Sequence, residues 1–356
     1  MQTRVRLRDL GVRIGTYETG PCNSITDVAG VLVGHRTLSY DLDDNKAVRT
    51  GVTAILPHGD NLFREKVVAS SYVINGFGKT TGTVQVQELG VIESPIMLTN
   101  TLSVPAVAEG TIRYLLEQNE EIGDTTGTVN VVVGECNDGY LNDIRGMHVK
   151  PEDALAAIQS ARSGEVEEGC VGAGTGMSCL GFKGGVGTSS RIASFGEETY
   201  TVGALVVSNF GDRDDLFLHW KGTSQEQQKA QEKETKPDGS IMMVIATDAP
   251  VNERQLQRIA KRSAFGLSRT GSYGAHGSGD IVIAFSTAHR IPHTPPALTL
   301  RYSYLAEDGP AISRLFAMTV DAVEEAIWNS LCKATTTTGR NGRIQHAIDY
   351  KLLQHE

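Results

Sequence analysis

The sequence predicts a layered α+β fold in which mixed or antiparallel sheets are covered by helices. Strand-like and helix-like segments are interleaved along all 356 residues. Several strand-like segments follow one another directly, so the order is not the βαβα alternation of a doubly wound parallel sheet. Apolar residues make up 40% of the chain and glycines number 39, which indicates a large core with many turns.

Short runs rich in β-branched and apolar residues predict the strands. They are GVTAILP (51–57), KVVASSYVING (66–76), VNVVVGE (129–135), TYTVGALVVSNFG (199–211), SIMMVIATDA (240–249) and GDIVIAFST (279–287). The predicted helices are 103–121, 151–161, 252–267 and 312–334. Pro151 fits a first helical turn, Asn252 fits an N-cap, and the last helix carries one continuous apolar stripe.

Composition narrows the class of partners. The net charge of −9 argues against nucleic acid as the main partner. The chain has no apolar run of eighteen residues, and its N-terminus MQTRVRLRDLGVRIG lacks an apolar signal region. The five cysteines are scattered and form no CxxC pair, which favours reduced thiols. We therefore expect a cytoplasmic protein without a membrane partner.

Several familiar site patterns are missing from the sequence. The glycine-rich run CVGAGTGMSCLGFKGGVGTSSR (170–191) lacks the GK[ST] ending of a phosphate loop, so we expect tight turns or backbone that lines a site. The nine histidines form neither HExxH nor HxH, so we expect no metal. No GxSxG elbow occurs. A Ser-His-Asp triad stays open, because triads assemble from distant positions.

Three local clusters indicate a different chemistry. Gly239-Ser240 lies between a polar segment, 221–238, and a predicted strand; Ser278 and Asp280 come at the start of another strand; Asn209 comes at the end of a third. Each cluster alone is ordinary turn chemistry. Together they suggest self-cleavage, because a serine that leads a strand after a flexible tether could become a new N-terminus.

The proposed cleavage needs no histidine. The Ser240 hydroxyl would attack the Gly239 carbonyl, and water would hydrolyse the resulting ester. The freed α-amine of Ser240 would have a pKa of about 7.7–8.0, so part of it is neutral and can act as base for the adjacent hydroxyl. Glycine before the serine permits an unusual backbone and leaves the carbonyl open to attack.

Several long motifs support this scheme. They are NSITDVAGVLVGH (23–35), VVGECNDGYLNDIRG (132–146), GCVGAGTGMSCLGFKGGVGTSSR (169–191), GALVVSNFG (203–211), DGSIMMVIATDAP (238–250), LSRTGSYGAHGSGDIVIAFSTA (267–288) and TTTTGRNG (335–342). Through them the chain resembles, over nearly its whole length, the L-aminopeptidase D-alanyl-esterase/amidase and β-aminopeptidase family of self-processing serine aminopeptidases.

The resemblance implies a four-layer αββα sandwich similar to N-terminal-nucleophile hydrolases, with different connectivity. It implies a single domain, 1–356, cut into 1–239 and 240–356, which assembles as a homotetramer of such pairs. It implies release of N-terminal residues from short peptides, amides and esters without a cofactor. The preferred acyl group stays open between an L-residue, a D-alanyl group and a β-amino acid.

The resemblance also assigns roles to individual residues. Ser240 matches the nucleophile, and Ser278 and Asp280 match the pair that tunes it. Some family members carry Glu where this chain has Asp280. Asn209 matches the amide that stabilises the oxyanion. Glu135 and Tyr140 match positions that line the substrate site, where a carboxylate suits the substrate's ammonium group.

Two other functions remain open at this point. One is a self-cleaving acyltransferase of the ornithine acetyltransferase type, which uses threonine where this chain has Ser240. The other is an unprocessed homologue that binds or scaffolds without catalysis. For the aminopeptidase, we expect the tether at 221–238 to move away after the cut and open the pocket.

Overall fold

The structure is a computed structural model that describes residues 3–42, 45–216 and 239–353. The predicted tether at 221–238 lies outside the described residues. No helix within the described ranges is long and apolar enough to cross a membrane.

The described strands form two large sheets and two small ribbons. Their bounds are β1 Leu32–Asp41, β2 Ala47–Leu56, β3 Glu65–Gly76, β4 Val91–Ile92, β5 Ile96–Asn100, β6 Val132–Cys136, β7 Ser178–Cys179, β8 Phe182–Lys183, β9 Gly185–Phe195, β10 Glu198–Asn209, β11 Ser240–Thr247, β12 Gly279–Pro292, β13 Thr337–Thr338 and β14 Ile344–Gln345. One sheet has the order β1-β2-β5-β6 and the other β4-β3-β12-β11-β10-β9. The β5–β6 and β11–β12 pairs are parallel, whereas the other pairs in these two sheets are antiparallel.

The described residues form five α-helices, and all but the first cover the outer face of one of the large sheets; Val86 of the first belongs to the core between the sheets. The helices are α1 Thr83–Leu89, α2 Val104–Gln118, α3 Pro151–Gln159, α4 Glu253–Arg269 and α5 Pro310–Lys333. Helix α4 begins after Asn252, whose side chain accepts a hydrogen bond from the backbone of Gln255, as expected of an N-cap. Residues of α2 and α3 pack on the four-stranded sheet, and residues of α4 and α5 pack on the six-stranded sheet.

The alternation of side chains along β11 shows how the layers are built. Met242 and Val244 join a core with residues of β2, β5 and β6, between the two sheets. Ile241 and Met243 join a second core with α4 and α5 on the opposite face. A strand buried on both faces is apolar without interruption, which explains the run IMMVIA. The predicted αββα sandwich with mixed sheets is confirmed.

The predicted elements all occur, but the sequence reading missed others. The six predicted strands correspond to β2, β3, β6, β10, β11 and β12, and the four predicted helices to α2–α5. Strands β1, β5 and β9 and helix α1 were not predicted. Strand β9 lies in the glycine-rich run interpreted as turns, and that interpretation is wrong for 185–191. A Cβ on Gly187 would lie 1.9 Å from the carbonyl oxygen of Ala326, so glycine there allows α5 to pack directly on the strand.

Candidate active site

The topology of the six-stranded sheet brings three distant segments together at one edge, the side of the sheet where β11 and β12 begin and β10 ends. Strands β11 and β12 are parallel neighbours joined through α4, so both begin at the same edge, where Ser240 pairs with Gly279. Strand β10 runs antiparallel to β11, so its last residue, Asn209, pairs with Ser240. The three clusters singled out in the sequence therefore meet at a single position of the fold.

The Gly239-Ser240 peptide lies tightly in this edge. The backbone N–H of Gly279 is 3.3 Å from the Gly239 carbonyl oxygen and also 3.3 Å from Ser240 Oγ. Ser240 is 5% exposed. A Cβ on Gly239 would lie 1.7 Å from the backbone oxygen of Asn209, so only glycine fits before the serine.

Ser278 and Asp280 form a buried hydrogen-bonded pair beside it. The Ser278 hydroxyl donates to Asp280 Oδ1 at 2.6 Å, and Asp280 Oδ2 has no hydrogen-bond partner. Burial raises the pKa of Asp280 to about 6, although the hydrogen bonds from Ser278 and from the backbone of Ile241 lower it. The carboxyl group therefore changes charge close to neutral pH, which suits a group that exchanges protons.

The Asn209 side chain is held in one orientation by two backbone groups. Its Oδ1 accepts a hydrogen bond from the Ser178 N–H at 2.8 Å, and its Nδ2 donates to the Asn137 carbonyl at 2.9 Å. An amide nitrogen carries two hydrogens, so one N–H of Asn209 stays available to a ligand. These contacts fix which end of the amide is the donor.

A cavity of about 860 Å³ opens at this edge. The lining residues that bear on its chemistry are Asn137, Tyr140, Ser178, Asn209, Gly239, Ser278, Arg340 and Arg343. Its size suits a small ligand. The structure thus brings Tyr140 into the same cavity as Asn209, Gly239 and Ser278.

Glu135 is not among the described residues that line this cavity. It is 3% exposed and ends β6, where its Oε1 accepts the Lys79 N–H at 2.8 Å and its Oε2 accepts the Thr101 hydroxyl. A Cβ on Gly78 would lie 3.5 Å from Glu135 Oε1 and 3.7 Å from the Cα of Gly279. Gly78 therefore lies between the carboxylate and Gly279, and contact of Glu135 with an ammonium group stays a prediction.

Two buried ionisable side chains lie beside the wall that carries Asn137. The neighbouring Asp138 is fully buried, and burial raises its pKa to about 7. Lys183 is also fully buried and donates to the carbonyl oxygens of Gly174 at 3.0 Å and Gly184 at 2.9 Å; burial lowers its pKa. The glycine-rich run contributes Ser178 and Gly181 to the cavity lining, so part of it lines the site, which is one of its two expected roles.

Sequence reasoning missed the parts of the site that are backbone or distant in sequence. Asn137 and Ser178 act on Asn209 through main-chain groups, which leave no trace in residue type. Arg340 and Arg343 lie in the hairpin β13–β14, about 200 residues beyond Tyr140. The TTTTGRNG motif indicated the segment but not its place beside the site.

Comparison with known proteins agrees with this architecture. Residues 23–345 match the model of peptidase family S58. The chain is 42% identical to beta-peptidyl aminopeptidase BapA of Sphingosinicella microcystinivorans, over 96% of this chain and 90% of the relative. The crystal structure of the PH0078 protein from Pyrococcus horikoshii OT3 superposes with a TM-score of 0.91 at 50% identity, covering 98% of each chain.

The structure of an L-aminopeptidase D-Ala-esterase/amidase from Ochrobactrum anthropi superposes with a TM-score of 0.87 at 36% identity, covering 98% of this chain and 96% of that one. It is described as a prototype for the serine aminopeptidases and a variant of the Ntn hydrolase fold. The match of family, sequence and fold extends over nearly the whole chain. The protein described here therefore belongs to peptidase family S58 and is a hydrolase.

Proposed function

We propose that the protein is a self-processing serine aminopeptidase, cut between Gly239 and Ser240, that releases N-terminal residues from short peptides, amino-acid amides and esters. The observation that carries the proposal is the meeting of Asn209, Ser240 and Gly279 at one strand edge, with Ser278 and Asp280 beside them. The geometry supplies a nucleophile, proton acceptors and hydrogen-bond donors within one small region.

In the cleavage step, Ser240 Oγ attacks the Gly239 carbonyl carbon and its proton passes to a nearby acceptor, for which the Ser278–Asp280 pair is suited. The Gly279 N–H already donates to the Gly239 oxygen, so it stabilises the negative charge that develops there. The C–N bond then breaks, and its nitrogen takes up the transferred proton and becomes the α-amine of Ser240. Water hydrolyses the remaining ester, which leaves Gly239 with a free carboxylate.

In each later turnover, the α-amine of Ser240 takes the hydroxyl proton, since its pKa of about 7.7–8.0 leaves part of it neutral. The substrate carbonyl then occupies the position of the former Gly239 carbonyl. The free N–H of Asn209 donates to the developing oxyanion. The scissile bond then breaks as the α-amine passes its proton to the leaving amine or alcohol, and water hydrolyses the ester that the acyl group forms with Ser240 Oγ. The acyl group is an L-residue, a D-alanyl group or a β-amino acid, since the relatives bear names of these kinds.

We assign substrate binding to Tyr140 in the cavity and to Glu135 behind Gly78. A carboxylate that is buried and already hydrogen-bonded, as Glu135 is, binds an ammonium group with little reorganisation. We also propose that pairs of fragments assemble as a homotetramer, and that the segment 221–238 withdraws after the cut. Shortening 225–234 tests the last point, and unchanged activity would contradict it.

The two alternative functions are less well supported. The relatives are aminopeptidases rather than acyltransferases, and Ser240 stands where an ornithine-type acyltransferase has threonine. An acetyl-transfer assay separates these two classes. A non-catalytic homologue would have no reason to keep the Ser278–Asp280 pair and the oriented Asn209 amide together.

Intact mass spectrometry of the purified protein tests the proposal. The wild type should give two fragments, 1–239 and 240–356, and the Ser240→Ala variant one full-length chain without peptidase activity. Ser268→Ala is a matched control, because Ser268 is an exposed serine of α4 that does not line the cavity. A wild type that stays in one piece and is fully active would overturn the mechanism.

A further inference from the structure

One wall of the cavity carries two arginines that the proposed chemistry does not use. We infer that Arg340 and Arg343 form a subsite for the free α-carboxylate of the leaving residue, so that the preferred substrates are short peptides with an uncapped C-terminus, dipeptides above all. The inference rests on the proposed aminopeptidase function. It specifies which leaving groups that enzyme prefers.

Arg340 is held by its backbone and leaves its side chain available. Its N–H donates to the Leu141 carbonyl at 2.8 Å, which docks the hairpin on the loop that follows Asn137. Its Nε is buried and has no hydrogen-bond partner. The side chain lines the cavity, and a planar guanidinium without an acidic partner among the described residues is suited to bind a carboxylate through its terminal nitrogens.

Arg343 is fixed over the aromatic ring of Tyr140. Its guanidinium carbon lies 5.0 Å from the ring centre, and its Nη1 donates to the Tyr140 carbonyl at 3.2 Å. A guanidinium held by a ring face and a single carbonyl keeps other N–H groups free for a bidentate contact. Tyr140 thus positions Arg343 and lines the cavity itself.

The acidic residues of the cavity do not neutralise this pair. Asp212 and Asp215 also line it, but the ion pairs between described residues include neither Arg340 nor Arg343. Asp215 Oδ2 instead accepts the Asp212 N–H at 2.8 Å, which closes a local turn. The two arginines therefore present their charge to whatever fills the cavity.

Substrate chemistry explains why a carboxylate would lie there. In a dipeptide, the leaving carboxylate is two bonds beyond the scissile nitrogen, so it stays within one residue of the strand edge. An amide, an ester or a longer peptide has no charge at that distance. A pair of arginines at the cavity wall would select the dipeptide through charge-assisted hydrogen bonds.

The test compares three substrates that share the acyl group the enzyme cleaves fastest: its dipeptide with alanine, the C-terminal amide of that dipeptide, and its p-nitroanilide. The wild type should have a higher kcat/KM for the free dipeptide than for the amide. Arg340→Met and Arg343→Met should each lower the dipeptide value by about 10- to 100-fold, as expected for hydrogen bonds to a charged group. Their values for the amide and the anilide should change less than about threefold.

Two further variants keep the result interpretable. Arg343→Lys retains the charge and should keep part of the dipeptide preference that Arg343→Met loses. Arg113→Met, on the exposed face of α2, should leave kcat/KM unchanged for all three substrates. Intact mass shows that each variant is still processed. If the wild type hydrolyses the anilide but has the same kcat/KM for the dipeptide and its amide, the subsite is refuted and the proposed function still holds. Absence of all hydrolysis by the wild type would overturn both.

Discussion

Replacing Asp280 by asparagine should make the protein more stable at neutral pH while lowering its activity. Burial raises the pKa of this carboxyl group from its usual value of 3.8 to about 6. The folded protein therefore binds this proton more tightly than the unfolded chain does. The stabilising contribution is fully present below about pH 3.8 and is lost as the pH rises through about 6.

The size of the effect follows from these two values. A pKa raised by about two corresponds to about 3 kcal/mol, of which about 2 kcal/mol is lost between about pH 4.5 and about pH 7.5. An asparagine has the same shape, keeps an acceptor for the Ser278 hydroxyl and does not titrate. The stability of the variant relative to the parent should thus rise by about 2 kcal/mol between these pH values.

Urea unfolding at both pH values measures this difference. Both proteins should carry Ser240→Ala, so that neither is cut during the experiment. Taking the difference between variant and parent cancels the other buried carboxyl groups with raised pKa values, such as Asp138 and Glu324. Asp124→Asn, at an exposed position, controls for the change in net charge. A variant-minus-parent difference that is the same at both pH values would refute the reasoning.

Three other changes probe the same architecture. Gly239→Ala should leave the chain uncut in an intact-mass measurement, because its Cβ would lie 1.7 Å from the Asn209 oxygen; normal cleavage would show that the edge adapts. Asn209→Ala should lower kcat by about 10²–10³ through loss of an oxyanion donor; a fall in kcat below tenfold would exclude that role. Arg191→Met should destabilise the fold by about 3–5 kcal/mol in urea unfolding, because it breaks a pair with Glu325 in which both side chains are buried. The exposed Arg254→Met should cost below about 1 kcal/mol, and equal losses would contradict the argument.

The sequence predicted the parts of the fold whose cause is local. Strand β11 is apolar at every position from Ile241 to Ala246 because it is buried on both faces, and α4 has its N-cap in the sequence. Strand β9 escaped prediction because Gly185 and Gly187 resemble turn residues. Glycine is required at these two positions because the backbone of other segments packs directly against them, and no local sequence pattern reveals that contact.

The site divides in the same way. Asn209, Ser240 and Asp280 lie at or next to strand ends, so the predicted strand boundaries were enough to find them in the sequence. The pairing of β11 with β10 and β12 brings them together. The partners of Asn209 are the main chain of Asn137 and Ser178, which any residue could supply. The position of Ser178 depends on how the glycine-rich run folds against β10, and that of Asn137 on where β6 ends beside β10, so both are properties of the tertiary structure.

The tight fit of Gly239 also predicts which acyl group is preferred. If the substrate carbonyl takes the place of the Gly239 carbonyl, the substrate's α-carbon takes the place of its Cα. An L-side chain would then point at the backbone oxygen of Asn209, in the direction where a Cβ on Gly239 would lie 1.7 Å away.

A β-amino acyl group with an unsubstituted α-carbon, or a D-alanyl group, avoids that contact. We therefore expect the p-nitroanilides of β-alanine and D-alanine to have higher kcat/KM than that of L-alanine, with glycine p-nitroanilide as the control for size. A preference for L-alanine would mean that the acyl group does not occupy the position of Gly239. The oxygen that excludes a side chain before the cut belongs to β10, which also positions Ser240, so it should stay in place after the cut.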